Sequence, residues 1–131
     1  MRRICPNCRE SVPAEGAAWD ALRSRPDFEE LIRALQKQGA LAKGANPLAG
    51  SRLFKGKGCI QCGSTGFRGR LGIFELFEID DEIRHMMTRR EDAMTIRAAA
   101  VASGMKTLFQ DGLAKALLGQ TTLEEVFRVA L

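Results

Sequence analysis

The chain has 131 residues, a formal charge of +4 and 45% hydrophobic residues, but only 6% aromatic residues and no tyrosine. That length suits one domain, or one domain with a small appendage, whose core must rest on aliphatic side chains and seven phenylalanines. No run approaches the roughly 20 apolar residues of a membrane helix, the opening residues 1–8 lack the apolar core of a secretory signal, and nothing in the composition marks disorder.

The chain therefore reads as cytosolic, a compartment where disulfides are rare and close cysteine pairs point first to metal. Residues 1–58 hold 11 basic and 6 acidic side chains, and residues 59–131 hold 9 and 10, so the positive excess is N-terminal. Four thiolates on one Zn²⁺ would lower the net charge to about +2, leaving little long-range attraction for nucleic acid or lipid.

In chain order, Cys5-Pro6-Asn7-Cys8 forms a tight knuckle with an extended exit through Ser11, Val12 and Pro13. Trp19, Leu22, Phe28, Leu31, Ile32 and Leu35 recur at helical spacing. They predict a short helix, a break near Pro26, and a second helix to about Gln38. Residues 39–51, rich in Gly and Ala, read as a connector. Leu53 and Phe54 predict a strand leading to a second knuckle, Cys59-Ile60-Gln61-Cys62. Beyond it, Gly66, Gly69 and Gly72 punctuate a segment ending in the β-favouring run Ile73 to Ile79, expected as a hairpin or short antiparallel sheet.

From Asp80 onward the pattern is helical. A short helix capped by Asp80 or Asp81 should bury Ile83, Met86 and Met87, and a second should run from Asp92 to Ser103 with Gly104 as its stop. A third, from Thr107, should bury Leu108, Gly112, Leu113, Ala116 and Leu117. The last starts at Thr121 or Thr122, where Glu124 or Glu125 completes a capping box, and should bury Leu123, Val126, Phe127 and Ala130. The expected fold class is α+β. A Cys₄ zinc-knuckle lobe over residues 1–66 carries short antiparallel strands and a helical insertion at about 14–52. A strand and a bundle of about four helices follow over residues 67–131.

Two C-x₂-C knuckles suit a tetrahedral zinc site, because each short loop delivers two sulfurs to one ion and its backbone N–H groups can stabilise the thiolates. Cys5, Cys8, Cys59 and Cys62 are the candidate ligands. Four sulfurs fill the shell and leave no place for water or substrate, which favours a structural Zn²⁺ over a catalytic one. A thioredoxin-like redox pair is the competing reading, but neither knuckle opens a βαβ unit. The glycine series has no following Gly-Lys-Ser/Thr and reads as turns and bulges rather than a phosphate cradle. Arg68 and Arg70 share a strand face that could grip an acidic group, or simply lie in solvent. His85 falls on the exposed side of its helix, and Asp80, Asp81 and Glu82 read as helix-capping charges rather than a magnesium site.

The segments RRICPNCRE, GCIQCGSTGFRGRLGIFELFEIDDEIR and GMKTLFQDGLAKALLGQTTLEEVFRV, in that order, resemble the C-terminal region of type II secretion and type IV pilus assembly ATPases. The resemblance covers the chain except about residues 14–52, and the 50 residues between knuckles depart from a compact ribbon. It implies that Cys5, Cys8, Cys59 and Cys62 are structural metal ligands, that the chain is an excised domain, and that no catalytic residue lies in it. ATP and Mg²⁺ would bind only in the parent protein, upstream of Met1. The parent would be a homo-hexameric ATPase, cytoplasmic and peripheral to the inner membrane. Its partners would be its own nucleotide-binding domain and inner-membrane platform proteins. Secretion is the first expectation for the parent and pilus assembly the alternative. A stand-alone zinc-ribbon nucleic-acid binder is the reading from another class, though the sequence lacks the clustered basic and aromatic residues such readers use, and no nucleic acid is expected.

Overall fold

The computed structural model describes residues 1–37, 39–41 and 52–131. The expected helix end at Gln38 and most of the expected connector lie outside the described residues. Strand β1 (Arg2–Ile4) enters the first knuckle and β2 (Arg9–Pro13) leaves it; β3 (Arg52–Gly56) leads toward the second knuckle and β4 (Phe67–Arg70) follows it. The pairing is antiparallel and nested: β1 pairs with β4, and β2 pairs with β3. Between β2 and β3 lie α1 (Ala17–Arg23) and α2 (Phe28–Lys37). The C-terminal half carries α3 (Asp81–Thr88), α4 (Ala93–Ala102), α5 (Leu108–Leu117) and α6 (Leu123–Ala130). The α+β expectation holds.

The helix starts follow local chemistry. Asp80 accepts the Ile83 N–H, Asp92 accepts those of Met94 and Thr95, and Thr122 accepts that of Glu125. At α5, Thr107 and Gln110 exchange bonds in a reciprocal capping box. The main core joins Trp19 and Leu22 of α1, Leu31 and Leu35 of α2 and Leu53 of β3 to Phe109, Leu113 and Ala116 of α5 and Leu123 and Val126 of α6. A smaller cluster of Ile83, Met86 and Ala100 joins α3 to α4. The insertion helices thus share one core with the C-terminal helices.

Four local expectations need correction. The run Ile73 to Ile79 forms no strand among the described residues; the paired strand is Phe67–Arg70, and it ends opposite Arg2, where β1 begins. Met87 is 48% exposed, because α4 covers only the Ile83 and Met86 side of α3. Leu108 is also exposed, and Phe109 takes the core position one residue later, where it meets Phe127 edge-on at 5.5 Å and carries the Arg25 guanidinium on its face at 4.4 Å. Glu125 closes no capping box. Its side chain is buried and accepts the Arg2 backbone N–H at 2.9 Å, the Arg2 guanidinium at 2.6 Å and the Arg128 guanidinium at 2.7 Å.

That buried carboxylate fastens β1 to α6 across the whole chain, supported by the Thr121 hydroxyl donating to the Arg2 carbonyl at 2.8 Å. The Arg128 hydrogen bond lowers the Glu125 carboxyl well below the usual carboxylate range; burial opposes this, and Arg2 adds to it. A depressed carboxyl stabilises the fold fully above its unfolded-state value of about 4.3 and progressively less as pH falls toward its folded value. Urea midpoints should therefore drop as pH falls from about 5. Glu125→Gln should cost about 1–3 kcal/mol near neutrality and flatten part of the acid slope. An unaltered slope in the variant would assign it to other carboxylates.

Candidate metal centre

The two knuckles are 50 residues apart in sequence and meet because the strands flanking them pair with each other. Each knuckle is also tied to the opposite arm. The Cys5 N–H donates to the Gly66 carbonyl at 2.9 Å, and the Lys57 N–H donates to the Cys8 carbonyl at 2.9 Å. The arms cross through glycine. A Cβ on Gly56 would fall 2.0 Å from the Gly66 carbonyl oxygen, and one on Gly66, whose φ is +76°, would fall 2.5 Å from that of Gly56. No side chain fits at that crossing. The irregular register between Arg2 and Ile4 marks a bulge beside the site, in keeping with the turn-and-bulge reading of the glycines.

All four sulfurs lie within 4.8 Å of one another, and among the described residues they form the one cluster of side chains able to hold a metal ion. The Cys5–Cys59, Cys8–Cys62 and Cys59–Cys62 sulfur separations are 3.9, 3.9 and 3.7 Å. Four sulfurs placed tetrahedrally about 2.3 Å from one Zn²⁺ lie about 3.8 Å apart. The donor set and spacing fit a four-thiolate ion, which would supply structural cross-linking and charge neutralisation. Cys5 and Cys62 are buried, and Cys8 and Cys59 are partly exposed.

The surroundings prepare part of the negative charge. The backbone N–H groups of Cys59 and Gly66 point at the Cys62 sulfur at 3.2 and 3.3 Å, and the Asn7 amide points at the Cys59 sulfur at 3.4 Å. Desolvation raises the Cys62 pKa, but those N–H groups and the thiols of Cys59 and Cys8 outweigh it and bring it down to about 6. The Asn7 amide likewise lowers Cys59 against the opposing effect of burial. Desolvation, reinforced by the neighbouring thiols, pushes Cys8 up to about 12. One sulfur can thus ionise readily while another resists, as closely spaced, coupled thiols do.

The other candidates lie apart from this chemistry. His85 is exposed on α3. Asp80 caps that helix, and Asp81 pairs with Arg84 one turn on. Arg68 and Arg70 are exposed on β4, with Arg68 donating to Gln61 at 3.0 Å. The sequence marks Asn7 only as a turn residue and gives no sign of the Gly56–Gly66 crossing. Asn7 reaches across to the other knuckle and the crossing is a long-range contact, so neither leaves a local periodicity.

The type II/IV secretion system protein family profile matches residues 1–128. The chain belongs to that family. The resemblance carried by the cysteine and C-terminal segments is borne out by its relatives as well. It is 43% identical over 126 residues to the type IV pilus assembly ATPase PilB of Thermus thermophilus, covering 96% of this chain and 12% of that protein. It is 46% identical over 129 residues to the type II secretion system protein E of Pectobacterium carotovorum, and 33% identical over 129 residues to that of Klebsiella pneumoniae. Each of those alignments covers 98% of this chain but 21% of the relative. The chain of this family member therefore spans a small fraction of the curated relatives it matches.

If the glycine crossing sets the sulfur geometry, Gly56→Ala should weaken zinc retention by about ten- to a hundredfold, the range seen when groups behind metal ligands are lost. Competition with a coloured chelator measures this. Unchanged retention would mean the crossing does not shape the site.

Proposed function

We propose that this chain is the C-terminal metal-binding structural and interaction domain of a hexameric type II secretion ATPase that powers protein export. Cys5, Cys8, Cys59 and Cys62 hold one structural Zn²⁺, and the nucleotide site lies elsewhere in the parent protein. The observation that carries the reading is the set of four sulfurs at tetrahedral spacing, in a chain of the secretion family, with no further position left on the ion for substrate. The metal lobe, residues 1–66, and the helical part, residues 67–131, act as one body, because α1, α2 and β3 enter the same core as α5 and α6. The parent works at the cytoplasmic face of the inner membrane, where this body docks against its own nucleotide-binding domain and the membrane platform of the machine. Among the described residues no helix is long and apolar enough to cross a membrane.

Pilus assembly remains the second reading, since the pilus relative matches at 43% and the secretion relatives at 46% and 33%. Complementation separates the two: the parent gene should restore protein export, rather than piliation, in a strain lacking its own copy.

Metal analysis of the purified parent should find one zinc per chain, and Cys62→Ser should reduce it below half. Structural zinc contributes about 10–16 kcal/mol of binding energy in small metal-folded units. Chelation should therefore abolish amide protection in the knuckles and strands before it disturbs α5 and α6. An amide spectrum unchanged by complete chelation would remove the structural role, and ATP hydrolysis by the 131-residue chain alone would remove the placement of the nucleotide site.

A further inference from the structure

Cations and carboxylates balance on the helices but not on the metal lobe. In the C-terminal half Arg84 pairs with Asp81, Arg97 with Glu75 and Lys115 with Asp111. The stretches that carry the knuckles, residues 1–13 and 52–70, hold eight arginines and lysines against a single acidic residue, Glu10, which Lys55 meets at 3.5 Å. Arg3, Lys57 and Arg70 are exposed and have no hydrogen-bond or ionic partner among the described residues, and Arg68 has only the Gln61 side-chain oxygen at 3.0 Å. Arg70 stands opposite Arg2 on the β1–β4 pair, where like charges repel. Arg2 is neutralised by Glu125, and Arg70 is not neutralised. A four-thiolate Zn²⁺ would return two negative charges, which still leaves the lobe cationic within a chain that is close to balance.

The second observation is Ile60, which opens a single 3₁₀ turn at the tip of the second knuckle and is 95% exposed. Lone exposed apolar side chains are ordinary on protein surfaces, but this one stands on a fixed support. The Gly63 N–H donates to the Ile60 carbonyl at 3.3 Å, and the Ser64 N–H donates to the Cys59 carbonyl at 2.9 Å. Cations are fixed on both sides of it. Arg68 reaches Gln61, the next residue, and Lys57 is tied through its backbone N–H to the Cys8 carbonyl of the other knuckle. Arg70 follows about 7 Å further along β4, inside the roughly 8 Å over which charges act in physiological salt, and Arg3 lies on the neighbouring strand.

We propose that the knuckle tip rests on an anionic phospholipid surface, with Ile60 entering the headgroup layer and Arg3, Lys57, Arg68 and Arg70 lying among the phosphates. The proposal takes from the functional reading above only that the parent works beside a membrane. Arginine suits this surface because its guanidinium gives a phosphate two parallel N–H bonds, and an apolar anchor among cations is the usual composition of an interfacial contact. An acidic protein would also satisfy the cations. A convex tip with one projecting side chain, however, needs a matching socket in a protein and none in a fluid interface, and a large cleft of this fold lies elsewhere, between α2 and α4. One tip binds weakly: each cation near the surface contributes about fivefold in affinity, and Ile60 about tenfold. Several copies in one assembly would multiply these factors.

The test is sedimentation of the zinc-loaded parent protein with vesicles of equal parts phosphatidylglycerol and phosphatidylcholine, and with vesicles of phosphatidylcholine alone. Binding to the first is expected, at least about tenfold weaker to the second, and falling steeply with added salt. Ile60→Ser should weaken it about tenfold and Arg68→Gln about fivefold. Both side chains lie outside the core, and zinc content measured on each variant reports whether the lobe is intact. Arg84→Gln, on α3, should bind as the unmodified protein does. Equal binding to both kinds of vesicle, no binding, or equal binding by all three variants would overturn the proposal. So would capture by polyglutamate but not by vesicles, lost in Ile60→Ser, which would assign the tip to an acidic protein. The functional reading fails separately: a parent that restored piliation in place of export would sink the secretion assignment and leave the vesicle binding and its loss in the variants as measured.

Discussion

The structure depends on bringing two cysteine knuckles together across 50 intervening residues. Closing a loop of that length costs about 3–4 kcal/mol of chain entropy, and four thiols packed within 4.8 Å add a further obstacle, because their ionised forms repel. The nested strand pairs meet the first cost. The β2–β3 pair zips the inner arms from Arg9 opposite Gly56 to Pro13 opposite Arg52, and β1–β4 closes the outer arms. The second cost is one that a cation among the sulfurs would offset. The N–H groups around Cys62 and Cys59 ease part of it, while desolvation and the neighbouring thiols push Cys8 up to about 12. The proposed zinc would both cross-link the two arms and neutralise the thiolates it draws together.

A second constraint joins this lobe to the helices. Glu125 holds Arg2 by both backbone and side chain, and it holds Arg128 on its own helix. Removing either arginine would leave a buried carboxylate short of a partner, which is the costly way to break a buried ion pair. The Ile4 N–H also donates to the Gln120 carbonyl at 2.9 Å, so the residue before the first knuckle is pinned to the turn before α6. With α1 and α2 packed into the same core as α5 and α6, the metal lobe has no hinge of its own among these contacts.

The sequence revealed what is set locally. Knuckle spacing located the sulfurs, and Asp80, Asp92, Thr107 and Thr122 announced their helices, because a cap satisfies neighbours two or three residues away. It misled where a distant partner outcompetes a near one. Thr122 followed by Glu125 has the spacing of a capping box, yet Arg2, 123 residues away, takes the carboxylate for an ion pair. Leu108 and Phe109 are both apolar at the start of α5, and it is the distant partners, Arg25, Phe127 and the shared core, that receive Phe109 rather than its neighbour. The glycine crossing was equally hidden, since two glycines ten residues apart in sequence carry no sign of which backbone each must approach.

The run Ile73 to Ile79 separates two senses in which a sequence can be legible. Its β-branched and aromatic residues predict a hairpin or short sheet, yet no strand forms there among the described residues, and Asp111, Lys115 and Arg97 hold the segment from one side. Pairing is a property of two segments, and β-propensity in one measures only its readiness to receive the other. The mismatch between strong propensity and absent ladder is therefore informative. A segment of strong β-propensity with exposed Phe74 and Leu76 and no ladder is an aggregation hazard that surface charge or proline normally blunts. Glu75 is the one charge between Ile73 and Leu76, and its carboxylate is turned to Arg97 and α5. The contacts that decide the path of this segment thus come from a helix rather than a neighbouring strand: Asp111 accepts the Phe74 N–H and Lys115 donates to the Gly72 carbonyl.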